Sequence, residues 1–140
     1  MKRFGFFALC MVALLSPARA DFLLNGSSIT ALEVLDPNGF EKVTLAYTAV
    51  SGDDAAKGIH PGSILFSGTM DRSNMFTGKA FAFKKGCKQA PYAFDVKGSL
   101  NSSIDLYGAV PVFADGSCKI LHYSDTLADS HLSLSFTNSQ

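Results

Sequence analysis

Residues 29–50, ITALEVLDPNGFEKVTLAYTAV, decide the fold of this chain. Both flanks of the stretch, 29–35 and 40–50, are rich in the β-branched and aromatic residues that favour strands. From Val43 to Ala49 apolar residues recur at every second position, as expected for a strand with one buried face. The sequence DPNG at 36–39 suits a type I turn, because proline fixes φ and glycine accepts a positive φ. The stretch therefore predicts an antiparallel β-hairpin.

The rest of the chain continues this β pattern. Short runs rich in Val, Ile, Thr, Phe and Tyr are separated by Gly, Pro, Asn and Asp, which is typical of all-β proteins. Residues 51–62 are too polar and too rich in Gly and Pro for a strand, so we expect a long surface loop there. We predict further strands over 63–70, 75–83, 92–97, 103–107, 118–123 and 131–137. About eight strands in one domain predict a small antiparallel barrel or a two-sheet sandwich.

The amino-terminal segment indicates where the protein goes. Residues 1–20, MKRFGFFALCMVALLSPARA, combine a basic start, an apolar run and a small-x-small ending, which is the pattern of a secretory signal peptide. The apolar run is shorter than the roughly 20 residues that a membrane-spanning helix needs. We therefore predict a signal peptide over 1–20, cleaved before Asp21, and a single exported β-domain over 21–140. The expected location is periplasmic or secreted, without a membrane span.

Cleavage would leave two cysteines, Cys87 and Cys118, in an oxidising compartment. They lie 31 residues apart. The alternative, a catalytic or metal-binding thiol pair, has no Cys-x-x-Cys spacing to support it. We therefore predict that Cys87 and Cys118 form one disulfide.

The charge balance argues against nucleic acid as a partner. Of 12 basic and 12 acidic residues, three basic ones belong to the predicted signal peptide, so the exported domain carries a net charge of about −3. The basic residues are nevertheless clustered, with four lysines inside ten positions: Lys79, Lys84, Lys85 and Lys88. This cluster is a solvated hairpin end or a charged strand edge that blocks edge-to-edge pairing. The alternative is a docking patch for an anionic surface such as lipid headgroups or polyanionic glycan.

No motif points to catalysis or to a metal. The three histidines, His60, His122 and His131, accompany no Gly-x-Ser-x-Gly sequence. His122, Asp125, Asp129 and His131 lie within ten residues but match no zinc-ligand spacing, so loop residues that join two strands are the better interpretation. The acidic runs 53–54 and 71–74 lack the ligand pattern of a calcium loop. We predict no catalytic, cofactor-binding or metal-binding residues and no enzyme activity.

Phenylalanines dominate the aromatic residues, since the chain has 12 Phe, 4 Tyr and no Trp. Those in predicted strands are expected to fill the interior: Phe66, Phe76, Phe81, Phe83, Phe94 and Phe136. A pocket lined by these rings is the alternative, because small β-barrels often hold an apolar ligand at one mouth.

Residues 68–118 resemble part of a known family. The run GCKQAPY at 86–92, followed by Gly98, a strand and Cys118, resembles the disulfide-bearing segment of the short bacterial avidins. Upstream, GTM at 68–70 and TG at 77–78 resemble the strand pair that opens the avidin barrel. The resemblance implies a meandering antiparallel barrel with one internal disulfide.

The biotin site of that family is not matched. Avidins enclose biotin with Trp rings, and this chain has no Trp. Phe81 stands where the family has a tyrosine, so the hydroxyl that would donate to the ureido oxygen is missing. Loss of such a donor in a buried polar site costs about 1–3 kcal/mol. We therefore do not expect biotin binding.

Three functions remain open from the sequence. The leading hypothesis is a non-catalytic binding module for an unknown small ligand or for an envelope or secreted protein. The second is a hydrolase inhibitor or defence protein that acts through residues 51–62, because binding loops sit on rigid scaffolds. The third is a small hydrolase that uses His122 or His131 with a nearby aspartate.

Overall fold

The computed structural model describes residues 18–71, 76–99 and 102–139. The predicted signal peptide up to residue 17 and the predicted turn residues 72–74 lie outside the described residues. The described part contains strands β1 (Ala18–Leu24), β2 (Ser27–Leu35), β3 (Glu41–Ala49), β4 (Ile64–Met70), β5 (Phe76–Ala82), β6 (Ala90–Tyr92), β7 (Asp95–Gly98), β8 (Ile104–Tyr107), β9 (Val110–Phe113), β10 (Ile120–Ser124) and β11 (His131–Ser139). A short helix α1 (Gly52–Ala56) and one 3-10 turn, Ala128–Ser130, complete it.

Nine strands form one antiparallel sheet in the order β6-β5-β4-β3-β2-β1-β11-β8-β7, and β9 pairs with β10 in a small second sheet. The two edge strands, β6 and β7, follow one another in the chain and are joined by Ala93 and Phe94 alone. Two linking residues span about 11 Å at most. In a flat sheet of nine strands the edges would lie about 38 Å apart. The sheet is therefore curled into an antiparallel half-barrel, as the predicted all-β fold requires.

The hairpin predicted from residues 29–50 is confirmed. β2 and β3 pair antiparallel from Ser28 opposite Ala49 to Leu35 opposite Glu41. In the turn, Gly39 N–H donates to the Asp36 carbonyl oxygen at 3.0 Å, and Gly39 has a φ of 83°. The Asp36 carboxylate also accepts a backbone N–H two residues on, at 2.8 Å. The turn residues thus set the register of the longest hairpin.

Local irregularities increase the curl of the sheet. The register between β3 and β4 shifts at Leu65, which therefore has no partner on β3. As a result Leu65 and Phe66 are both buried, although they are adjacent in sequence. On the other side of β4, Gly68 faces Gly78 of β5, and a Cβ on Gly68 would clash with the carbonyl oxygen of Thr77. Only glycine permits this close approach of two backbones.

The core lies on the concave face of the curled sheet. Its fully buried large side chains come from β1, β2, β3, β4, β8 and β11: Phe22, Ile29, Val43, Leu45, Leu65, Phe66, Ile104 and Leu134. Phe66 and Phe94 meet edge to face with centroids 4.6 Å apart. Of the phenylalanines predicted to be interior, Phe66 is fully buried, whereas Phe76, Phe83, Phe94 and Phe136 are half-buried and pack against the core.

Several elements differ from the sequence-based expectation. The predicted strand over 92–97 is two strands, because the chain leaves one sheet edge after Tyr92 and joins the other at Asp95. β1 and β9 were not predicted, since β1 overlaps the end of the predicted signal peptide and β9 is a four-residue strand that contains a proline. The expected surface loop 51–62 contains α1, and its Asp54 and Ile59 are buried.

The predicted disulfide is confirmed and lies outside the main sheet. Cys87, in the loop after β5, bonds to Cys118, in the turn between β9 and β10, with Cα atoms 5.4 Å apart. Beside it, the Lys84 ammonium donates to the carbonyl oxygens of Ala114 and Ser117, at 2.6 and 2.8 Å. The covalent bond and these two hydrogen bonds fix the small β9–β10 sheet against the end of β5.

We expect the double variant Cys87→Ala/Cys118→Ala to lose about 3.5 kcal/mol of unfolding free energy, because the disulfide closes a long loop in the unfolded chain. Urea denaturation followed by circular dichroism measures this loss. The control is the wild-type protein in excess dithiothreitol, which should lose a similar amount, while the double variant should not respond to the reductant. A double variant as stable as the oxidised wild type would contradict the role given to this bond.

Candidate functional site

A cavity with a volume of about 170 Å³ opens at one end of the curled sheet. It lies where β1, β3, β5 and β6 end and where β4, β9 and β11 begin, so seven of the described strands contribute to its wall. Its floor consists of buried side chains: Tyr47, Ile59, Leu65, Tyr92, Val110 and Leu132. Its rim consists of exposed ones: Asn25, Lys57, Leu127 and Asp129. An apolar floor under a polar rim is typical of small-molecule sites.

Helix α1 brings a carboxylate to the cavity. The Ser51 hydroxyl caps the helix by accepting the Asp54 backbone N–H at 3.3 Å. Ser27, which is fully buried, donates its hydroxyl to Asp54 Oδ2 at 2.5 Å and accepts the Ser51 N–H at 2.9 Å. Asp54 is only 4% exposed and lines the cavity. The pattern Ser-x-x-Asp at 51–54 is an N-cap signal that could have revealed this helix in the sequence.

Two buried tyrosines face the same space. Tyr47 and Tyr92 are 4% and 5% exposed, and neither hydroxyl has a hydrogen-bond partner among the described residues. Among the described residues, every side-chain nitrogen or oxygen atom that is fully shielded from solvent has a hydrogen-bond partner. The two hydroxyls must therefore reach the cavity. Tyrosine hydroxyls normally find a partner when buried, so these two are available to hydrogen-bond to a molecule in the cavity.

The tyrosines remain neutral over the physiological pH range. Burial, followed by the charge of Asp54, raises the pKa of Tyr47 far above its ordinary value. Burial, followed by the charge of Asp129, raises the pKa of Tyr92 to about 12. Both hydroxyls therefore keep their protons and can donate to a bound molecule.

Three phenylalanine rings complete the wall. Phe81 lies near the end of β5, Phe83 directly follows that strand, and Phe113 comes from β9. Phe83 meets Tyr47 edge to face with centroids 6.1 Å apart. Phe113 belongs to the small sheet that the disulfide and Lys84 hold in place, so those bonds also fix one side of the cavity.

The charged side chains of the cavity differ in whether they form an ion pair. Lys57 Nζ lies 3.8 Å from Asp129 Oδ2, and both side chains are about half exposed, so the pair contributes little to stability. Asp54 has no cation partner among the described residues. The cavity therefore contains one buried carboxylate without a balancing charge.

The four lysines of the predicted patch do not share one role. Lys79 lies exposed on β5, and Lys85 and Lys88 are exposed in the following loop. Lys84 is half-buried and holds two carbonyl oxygens of the β9–β10 turn. Lys84 thus has a structural role that the charge cluster in the sequence did not reveal. The docking patch stays a prediction.

The histidines lie away from the cavity wall. His131 and Ser133 are on the outer face of β11, and both contact Asp105 Oδ1, at 3.0 and 2.5 Å. These contacts, the Ser133 hydrogen bond first, lower the pKa of Asp105. In a nucleophilic triad the acid and the nucleophile bind opposite nitrogens of the imidazole, whereas here both approach Nε2. His122 is exposed on β10. The arrangement gives no support to the hydrolase alternative.

Residues 18–71, 76–99 and 102–139 contain no cluster of three or more His, Cys, Asp or Glu that could hold a metal ion. His122, Asp125, Asp129 and His131 are thus not brought together as such a cluster within these ranges. Within the same ranges, none of the helices has the length and hydrophobicity to cross a membrane.

Comparison with known proteins adds no relative. No family model, no curated protein and no solved structure matches this chain. The resemblance of residues 68–118 to the short bacterial avidins thus stays a prediction, and the site has to be interpreted from its own geometry.

We expect Ser27→Ala to destabilise the protein by about 2 kcal/mol, because the buried Asp54 carboxylate and the Ser51 N–H would both lose a partner. The neighbouring variant Ser28→Ala is the matched control, since the Ser28 hydroxyl makes no hydrogen bond in the described structure. Urea denaturation of both variants measures the difference. Equal stability of the two variants would contradict the proposed support of Asp54 by Ser27.

We expect the stability of the protein to fall as the pH rises above about 10. The unfolded chain then releases tyrosine protons near pH 10, while the folded chain keeps the Tyr92 proton up to a pKa of about 12. Each such proton makes the free energy of unfolding fall more steeply, by up to about 1.4 kcal/mol per pH unit. Tyr92→Phe should therefore reduce the slope in denaturation experiments, with Tyr123→Phe, at an exposed position, as control. An unchanged slope in Tyr92→Phe would refute the assignment.

Proposed function

We propose that this protein is a non-catalytic binding module that holds a small, largely apolar ligand in the cavity at the end of its curled sheet. The observation that carries the proposal is the pair of tyrosine hydroxyls, Tyr47 and Tyr92, which reach the cavity and have no hydrogen-bond partner among the described residues. A buried hydroxyl without a partner costs free energy, which a ligand or water that accepts its proton recovers.

The size of the cavity limits the ligand. Its volume of about 170 Å³ is close to the roughly 150 Å³ of an engineered protein cavity that binds benzene. The ligand, or the part of it that enters, is therefore about the size of a six-membered ring. For so few atoms we expect dissociation constants between about 1 µM and 1 mM.

Export is part of the proposal. The predicted signal peptide and the Cys87–Cys118 disulfide both fit an oxidising compartment, periplasmic or extracellular. The binding partner would then be met outside the cytoplasm.

Part of the segment 51–62 belongs to the cavity. Asp54 and Ile59 anchor that segment to the body of the protein and form part of the cavity wall. The residues between them, 55–58, are exposed, and they are the part of the segment that the alternative inhibitor hypothesis would use.

A panel of neutral, ring-sized compounds tests the proposal by isothermal titration calorimetry and by shifts in Tm. We expect at least one compound to bind the wild type, and Ala82→Leu to abolish binding, because Ala82 lines the cavity and a larger side chain would fill it. Ala49→Leu, at an exposed position of β3, is the matched control and should bind normally. Binding that survives in Ala82→Leu would show that the cavity is not the site.

A further inference from the structure

We infer that the ligand of this cavity is a small alkylammonium ion, held by the Asp54 carboxylate and by the aromatic rings of the wall. The inference rests on the proposed function and adds the charge and chemical class of the ligand. It follows from an arrangement that the binding proposal does not use. The buried Asp54 carboxylate has no cation partner among the described residues, and it lies in a cavity lined by aromatic rings.

The Asp54 carboxylate supplies the negative charge with which a cationic ligand would pair. Asp54 is 4% exposed, and among the described residues its side chain receives one hydrogen bond, from the Ser27 hydroxyl. A buried carboxylate without a cation is costly, and proteins usually balance it with a paired charge. The nearest candidate within the cavity lining, Lys57, is exposed and paired with Asp129 at the rim. A cationic ligand would therefore supply the missing balance.

The aromatic rings of the cavity wall provide a surface that suits an ammonium group. Five of them line a space of about 170 Å³: Tyr47, Phe81, Phe83, Tyr92 and Phe113. Ring faces attract ammonium groups, and cages of this kind recognise quaternary ammonium ions elsewhere. Because burial raises the pKa values of Tyr47 and Tyr92, both rings stay neutral and add no charge to the floor.

The same groups disfavour other ligand classes. An anion would face Asp54 in a partly dehydrated space, where like charges repel strongly. A neutral ligand could satisfy the tyrosine hydroxyls but would leave Asp54 unbalanced. The methylene and methyl groups of an alkylammonium ion, in contrast, suit the apolar floor formed by Leu65, Val110 and Leu132.

The test compares choline with 3,3-dimethylbutan-1-ol, a neutral molecule of the same shape, by isothermal titration calorimetry on the folded, disulfide-bonded protein. Acetate serves as the anionic probe. We expect choline to bind at least tenfold more tightly than the alcohol, and acetate not to bind. Asp54→Asn should weaken choline binding at least tenfold and leave the alcohol unaffected.

The matched control is Asp53→Asn, which removes an exposed carboxylate from the same turn of α1 and should leave choline binding unchanged. If Asp54→Asn does not fold, Phe83→Leu replaces it, since loss of a ring should weaken choline more than the alcohol.

The outcomes separate the two proposals. Equal binding of choline and the alcohol would overturn the ammonium inference and leave the binding function standing. Binding of neutral ring compounds without choline would do the same. No binding of any compound in either panel would overturn both.

Discussion

The structure depends on one short connection, in which Ala93 and Phe94 carry the chain from one edge of the nine-stranded sheet to the other. Because two residues cannot cross a flat sheet, the sheet has to curl and create a concave face. The unpaired Leu65 and the facing pair Gly68 and Gly78 allow that curl. Gly108 packs against the connection itself, where a Cβ would clash with the Ala93 carbonyl oxygen.

Three structural features partly cover the open end of the curled sheet. The disulfide and Lys84 hold the β9–β10 sheet across one side. Helix α1, tied to β2 through Ser27 and Asp54, covers another. The space that remains between them is the cavity lined by Asp54, Tyr47 and Tyr92, and the proposed function rests on this incomplete filling.

Much of the fold could be predicted from the sequence, because period-two burial and turn chemistry are local. The β2–β3 hairpin, the all-β class and the disulfide were predictable on that basis. The edge-to-edge passage at Ala93 was not, since no local pattern shows which strands pair across the sheet. The cavity was also not predictable in detail, because Tyr47, Asp54 and Tyr92 come together only through that pairing, and in the sequence each has an ordinary core or turn role.

A crystal structure of the protein purified from its source would test the central claim most directly. If the curled sheet leaves a working cavity, electron density for water or a ligand should lie within about 3 Å of the Tyr92 hydroxyl. The contrary result would be a closed end, in which the rings of Tyr47, Phe83 and Tyr92 pack together and both tyrosine hydroxyls bond to protein atoms.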